Sequence, residues 1–326
     1  MSIRPLNLPS DFNVLTELIV DSFQYPENES WSVGTDDQEN IQDMFTGVQR
    51  IWPLLRLVQF FSPALRDVLH GYFWEHEGLP VGMIVMQRQN KTNTWRIGNV
   101  AVLPAFRRQG IARKLVAAAL DFIRERGGEM ALLDVISGNI PAYSLYEQMG
   151  FVHYNSRHEF EYLGETPLTE PPILEGYVVS KLKPLAWRPR FELSKEITPK
   201  DIQQYEPVTE AHYNPGVMMP LSLLVMKVSG MKMQRVVIHT IDDGKTAAFG
   251  LYQVRKRAGG VNGIALRVNP DHPDLAGYLL PFLLNTATRL SPGRRIEFSV
   301  PYWQERVLEA VSHTPCVKKY EYHSMG

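Results

Sequence analysis

The chain has 326 residues, 44% of them hydrophobic, with a formal net charge of −1; that is enough for two domains of ~150 residues and too much for one typical core. So balanced a charge gives no bulk attraction to nucleic acid, and the single cysteine, Cys316, excludes an internal disulfide or a cysteine-based zinc site. The opening MSIRPLNLPSDF has no signal-type apolar region, and no apolar run reaches the ~18 residues of a membrane helix, so the expectation is a cytoplasmic protein with neither nucleic acid nor membrane as partner.

Ile3–Leu8 reads as a first strand, and Ser10 and Asp11 offer an N-cap to a helix with Phe12, Leu15, Leu18 and Ile19 on one face. Residues 24–40 are polar and irregular, and helical periodicity resumes over 41–69, interrupted by Pro53 and Pro63. Two strand-like runs, 70–77 and 81–89, flank the turn Glu77-Gly78-Leu79-Pro80. A third strand covers 95–103 and ends at Pro104, which has no N–H to donate.

Arg107-Arg108-Gln109-Gly110-Ile111-Ala112 then leads into a helix whose apolar face is Ile111, Leu115, Val116, Ala119, Leu120 and Ile123. The first turn of a helix has unpaired N–H groups and the positive end of the macrodipole, which suits a phosphate or pyrophosphate. Gly110 lets the backbone approach such an anion closely. Gly127-Gly128 ends the helix, and 130–136 is a nearly continuous apolar strand interrupted only by Asp134. A charged group there is costly unless paired or used. A helix over 141–149 and a strand over 151–162 follow.

Residues 164–190 hold five prolines and read as a linker in which 177–182 is a candidate ordered piece. Beyond it the order of elements repeats. A strand and helix start fall in 191–205 and an irregular Met-rich stretch follows. Next come a hairpin over 235–255, a strand over 263–268, a helix over 275–290, a strand over 295–300, a helix over 303–311 and a last strand over 316–322. Val268-Asn269-Pro270 stands where Val102-Leu103-Pro104 stood, but Asp271, Pro273 and Asp274 replace the cations and free amides that follow in the first copy.

Arg107, Gly110 and Ala112, preceded by V-x-V and followed downstream by Asn139-x-x-Ala142-x-x-Leu145-Tyr146-x-x-x-Gly150-Phe151, resemble the acyl-CoA signatures of the GNAT N-acetyltransferase superfamily. The resemblance implies a mixed α/β sheet in tandem GNAT-like folds: an acetyl-CoA-binding domain at 1–163, the linker at 164–190, and a degenerate copy without the cofactor motif at 191–326. It implies an N-acetyltransferase that uses acetyl-CoA as cosubstrate, without a metal, on a primary amine of a small molecule or peptide. Backbone groups of Val100, Ala101 and Val102 would pair with the pantetheine arm, which Asn139 also contacts. Arg107, Arg108, Gln109, Gly110, Ile111, Ala112 and Arg113 would hold the pyrophosphate.

By the same resemblance, Tyr146 is the general acid toward the leaving thiolate, and Asp134 is the candidate base, with structural pairing its alternative. Glu75, Glu77 and a water relay are further options for the base. Trp52, Phe60 and Phe61 either line an acceptor pocket or fill the core. The competing functions are peptide N-terminal acetylation and a non-catalytic acyl-CoA sensor or scaffold. The second copy would cover the acceptor cleft or make a homodimer contact.

Overall fold

The computed structural model describes residues 2–22 and 69–326, except 90–91, 165–166, 170, 173, 215–217, 229 and 257–259, and positions 32, 38–39, 42, 45–50, 52–53 and 56 between these stretches. Two compact units divide the chain: Met1–Tyr154 with Ser324–Gly326, and Asn155–His323.

In the first unit β1 (Ser2–Pro5), β2 (His70–His76), β3 (Leu79–Arg88) and β4 (Thr94–Val102) are antiparallel neighbours, and β5 (Met130–Ile136) joins β4 in parallel. Helix α1 (Phe12–Ser22) covers one face, packing Leu15, Leu18 and Ile19 on Phe73, Met83, Val85 and Ala101. Helix α2 (Ile111–Glu125) covers the other with Ile111, Leu115, Val116, Ala119 and Ile123, against Ile84, Met86, Trp95, Ile97, Leu133 and Val135. Cover on both faces explains why β3 and β5 are apolar nearly throughout. Each fully buried aliphatic side chain contributes roughly 1.5–3 kcal/mol. Gly127, at φ 69°, turns the chain out of α2, and the Gly128 N–H closes on the Ile123 carbonyl. Helix α3 (Ile140–Gln148) follows β5.

In the second unit β7 (Tyr177–Leu182), β8 (Met231–Thr240), β9 (Thr246–Arg255) and β10 (Asn262–Val268) repeat the antiparallel series, and β11 (Ile296–Pro301) joins β10 in parallel. Helix α4 (Arg188–Ile197) packs Leu193 and Ile197 on Val237 and Phe249. Short helices α5 (Lys200–Gln203) and α6 (Glu210–Tyr213) and the helix α7 (Met218–Val228) follow before β8. On the opposite face α8 (Leu275–Leu290) buries Leu275, Ala276, Leu279, Leu280, Leu283, Leu284 and Ala287, and α9 (Glu305–Ser312) adds Val307 and Val311. Strand β12 (Val317–Met325) closes the series. The repeat expected from the order of elements is thus present strand for strand.

Several details differ from the sequence expectation. The first strand of the second copy is Tyr177–Leu182, inside the supposed linker, because its register with β8 runs unbroken from Tyr177↔Thr240 to Leu182↔Arg235. The stretch after it is helical, and the Met-rich segment is α7, a sequence of adequate helix propensity whose Pro220 lies in the first turn. The expected boundaries at 163 and 191 also differ from the division observed. Strand β6 (His153–Tyr162) pairs with β11 from Pro301↔Arg157 to Ile296↔Tyr162, so most of it counts with the second unit. The final residues return to the first, where Val152 and Gly326 exchange N–H···O bonds of 2.9 and 3.0 Å. Periodicity marks a strand, whereas its ladder partner depends on where unpaired backbone groups meet in space.

Candidate active site

The candidate site of the first unit begins with an irregularity in β4. Its register against β3 passes from Met83↔Ala101 to Val85↔Gly98, so β4 has one extra residue at a β-bulge. Asn99 lies there with φ 41°, a conformation Asn tolerates better than most residues. The bulge resets the alternation: Trp95 and Ile97 before it, and Val100 and Val102 after it, all face α2. The register with β5 covers Thr94↔Met130 to Arg96↔Leu132, upstream of the bulge. The Leu103 N–H bonds the Val81 carbonyl, which sets the phase of the ladder. Ala101 therefore directs its backbone groups to β3, and Val100 and Val102 direct theirs away from it.

Past β4, a 3₁₀ turn at Pro104–Phe106 leads to Arg107, whose guanidinium donates from Nε to the Val102 carbonyl (3.1 Å) and from Nη2 to the Ser22 carbonyl (2.9 Å). This side chain braces the ends of β4 and α1, and the Arg107 N–H is bonded to the Pro104 carbonyl at 3.2 Å. Arg108 (φ 65°) and Gly110 (φ 74°) both adopt left-handed backbone, and Gly110 caps α2 without a side-chain bond. A Cβ built on Gly110 would meet nothing within 4 Å. Ile111 is buried, Ala112 half-buried, and Gln109, Gly110 and Arg113 are exposed, with the Arg113 guanidinium bonded to the Gln148 amide. The start of α2 is an open, cation-flanked turn of backbone donors.

The remaining expected residues lie on β5 and α3. Asn139 is the N-cap of α3, its Oδ1 accepting from the Ala142 N–H at 3.2 Å. Tyr146 is buried on the α2 side of the sheet beside Phe151, ring centroids 6.0 Å apart. Leu133 and Val135 also face α2, so alternation directs Asp134 to the α1 face. There its Oδ2 accepts from Arg96 Nη1 at 2.8 Å and its Oδ1 from Ser324 Oγ at 2.7 Å. A pairing of this carboxylate, the alternative to its role as base, is present, and its partners lie 38 and 190 residues away. Sequence reasoning missed both, although Arg96 precedes the bulge on a position of the α1-facing series. Glu75 is bonded by Arg4 Nε at 2.6 Å, and Glu77 is an exposed turn residue. Trp52 stands edge-on to Phe12 with centroids 5.5 Å apart, which favours its core reading. Phe60 and Phe61 lie outside the described residues.

The corresponding place in the second unit is built differently. The register of β10 with β9 is regular from Gly263↔Gln253 to Val268↔Ala248. Gln304, 4% exposed, donates from Nε2 to the Val268 carbonyl (3.1 Å) and accepts the Val268 N–H on Oε1 (2.9 Å). Its carboxamide thus occupies both backbone groups of the residue equivalent to Val102. In the turn, the N–H groups of Leu275 and Ala276 are already bonded to the His272 and Pro273 carbonyls, at 3.2 Å each. Among the described residues no cluster of three or more His, Cys, Asp or Glu could hold a metal, and no helix is long and apolar enough to cross a membrane.

Comparison with known proteins matches residues 35–151 to the acetyltransferase (GNAT) family. The chain is 37% identical over 70 residues to N-alpha-acetyltransferase 30 of Schizosaccharomyces pombe, covering 22% of this chain and 46% of that protein. It is 44% identical over 55 residues to streptothricin acetyltransferase of Streptomyces lavendulae, covering 17% and 29%. The chain thus spans less than half the length of either relative. Among solved structures, a tandem GNAT protein from the clavulanic acid biosynthesis pathway is similar over 99% of this chain and 97% of its own, with a TM-score of 0.65 at 16% identity. A bulged β4, an open turn at the head of α2 and the same strand series twice over agree with these matches: residues 35–151 match the acetyltransferase (GNAT) family, and the chain has the fold of a tandem GNAT protein.

Proposed function

We propose that the first unit binds acetyl-CoA and transfers its acetyl group to a primary amine, and that the second unit takes no CoA. The observation that carries this reading is the contrast between the two helix starts. The turn before α2 presents backbone donors beside Arg108 and Arg113, whereas the turn before α8 uses its donors internally and Gln304 fills the strand edge next to it.

Acetyl-CoA supplies an activated thioester; the chain supplies placement and proton transfer. The backbone groups of Val100 and Val102 that point away from β3 would hold the pantetheine arm as an added strand does, with Asn139 at the start of α3 beside it. N–H groups between Arg108 and Arg113 would hold the pyrophosphate, each bond to a charged oxygen contributing ~1.5–3 kcal/mol. The Tyr146 hydroxyl would give its proton to the departing sulfur, worth roughly 10²–10⁴ in rate. Asp134 is the carboxylate on the α1 face of β5 and the candidate base. Arg96 and Ser324 orient it and also compete for its lone pairs.

A peptide α-amine is the acceptor that the likeness to an N-alpha-acetyltransferase supports; a small-molecule amine is the acceptor that the likeness to streptothricin acetyltransferase supports. The test is thiol release from acetyl-CoA across a panel of N-terminal peptides and small amines, run beside calorimetry with CoA. Binding with turnover on one class assigns that acceptor. Binding without turnover on either class supports a sensor, and no binding overturns the reading.

A further inference from the structure

The second unit keeps a polar face that the proposed chemistry does not use. On the sheet side opposite α8, alternation places Arg235 of β8, Phe249 of β9 and Arg267 of β10, and Phe249 packs with Trp303 beneath α4. The half-buried Arg267 guanidinium lies 5.7 Å from the Trp303 ring centroid and donates from Nη1 to the Leu266 carbonyl at 2.7 Å. Arg190 reaches down from α4, its guanidinium 5.2 Å from the Tyr213 ring and 5.6 Å from the Phe249 ring. Phe249, Trp303 and Tyr213 thus form an aromatic floor and wall against which two guanidinium groups lie, close enough to repel one another.

Three other arginines of this unit are matched to carboxylates: Arg157 to Glu159, Arg295 to Glu297 and Arg306 to Glu309. Among the described residues, Arg190 and Arg267 form no such ion pair. Desolvation, then repulsion from Arg190 and more weakly from Arg157, pushes Arg267 down to about 10, with Tyr213 and Glu206 acting weakly the other way. Arg235 is lowered too, by burial and by Arg190. A chain that only needed to fill this space would place an apolar side chain at 267, since desolvating a cation without a carboxylate partner is costly. Arginine, with five N–H donors in a planar fork, suits a carboxylate or phosphate approached in its plane.

We infer that this face of the second unit binds a small organic oxyanion, a carboxylate or a phosphate ester, between Arg190 and Arg267 over the floor of Phe249 and Trp303. The unit without a cofactor turn is then a ligand-binding domain in its own right, and the inference stands whether or not the first unit transfers acetyl groups.

The test is thermal unfolding of the full chain in citrate, in potassium phosphate, and in potassium chloride at equal ionic strength. The expected result is a saturable rise in midpoint with citrate or phosphate beyond that in chloride, the more effective probe naming the carboxylate or phosphate class. Arg267→Met should abolish the rise and, by removing a charge without a carboxylate partner, should not lower the midpoint in anion-free buffer. Arg190→Met, at an exposed position, should raise the half-saturating concentration about tenfold, the loss expected for charge-assisted bonds to one guanidinium. Arg124→Met on the exposed face of α2 serves as the control and should leave the rise intact. Chloride matching both probes, or Arg190→Met and Arg267→Met both keeping the wild-type response, overturns the inference. Should Arg267→Met fail to fold, the Arg190→Met titration decides alone.

Discussion

Gln304 holds Val268 by both backbone groups at once, 2.9 Å on the N–H and 3.1 Å on the carbonyl, across 36 residues of chain. In the first unit the equivalent residue, Val102, meets the Arg107 guanidinium at its carbonyl instead (3.1 Å). A side-chain amide in the second copy therefore does for the strand edge what an added strand would do in the first. Gln304→Ala leaves a buried donor and acceptor without partners and should cost about 1–3 kcal/mol, read from urea unfolding. Removing the plug should not create a CoA site, because the donors at the head of α8 remain bonded. Calorimetry should give one CoA per chain for wild type and variant alike, and a stoichiometry of two would refute the division of labour.

Gly110→Val tests the open turn. There is room for a Cβ, so the cost to folding comes from φ 74° and should be about 1 kcal/mol or somewhat more for a β-branched residue. The larger effect should be on CoA, whose pyrophosphate would meet the new side chain. A folded variant with wild-type affinity would show that the turn is not the anion site.

Tyr146→Phe keeps the ring that packs on Phe151 and removes one hydroxyl. Affinity for CoA should hold while kcat falls by roughly 10²–10⁴. Single-turnover kinetics makes the check, because a slow product-release step would otherwise hide the chemical one.

Asp134→Ala strips an acceptor from both Arg96 and Ser324, whose bonds are partly shielded from water. Stability should drop by about 1–3 kcal/mol. Asp134→Asn separates the two roles of the carboxylate. If Asp134 is the base, turnover should fall steeply at constant CoA affinity, so a stability loss with turnover little changed would leave it the structural role alone. The same bonds bear on truncation. Cutting the chain after residue 190 would remove Ser324 from Asp134, Gly326 from Val152 and β11 from β6, so binding by such a fragment would not report on the second unit alone.

Burial lowers the pKa of His158, helped by Lys318, and burial lowers that of His212, in each case below the ordinary 6.5. The folded state then binds fewer protons than the unfolded chain below that value. Stability should be full above pH 6.5 and decline as the pH falls beneath it. Urea midpoints across that range make the check, and His158→Gln should flatten part of the slope.

What the sequence determined by itself was local or periodic. The apolar faces of α2 and α8, the glycine turn at 110, the near-continuous apolar run of β5 and the repeated order of elements all follow from neighbours a few residues apart. So does the altered turn at 270–274, where proline and aspartate replace cations and free amides. The tertiary structure alone decided what depends on distant partners: the bulge at Asn99, set by register against β3; the Arg96–Asp134–Ser324 chain; the pairing of β6 with β11; the closure of Val268 by Gln304; and the meeting of Arg190 with Arg267 over Phe249 and Trp303. The physical reason is shared by all of these. Propensity and periodicity act over one or two turns of chain, whereas hydrogen bonds and charges are satisfied by whichever groups the folded backbone brings within about 3 Å, at any separation in sequence.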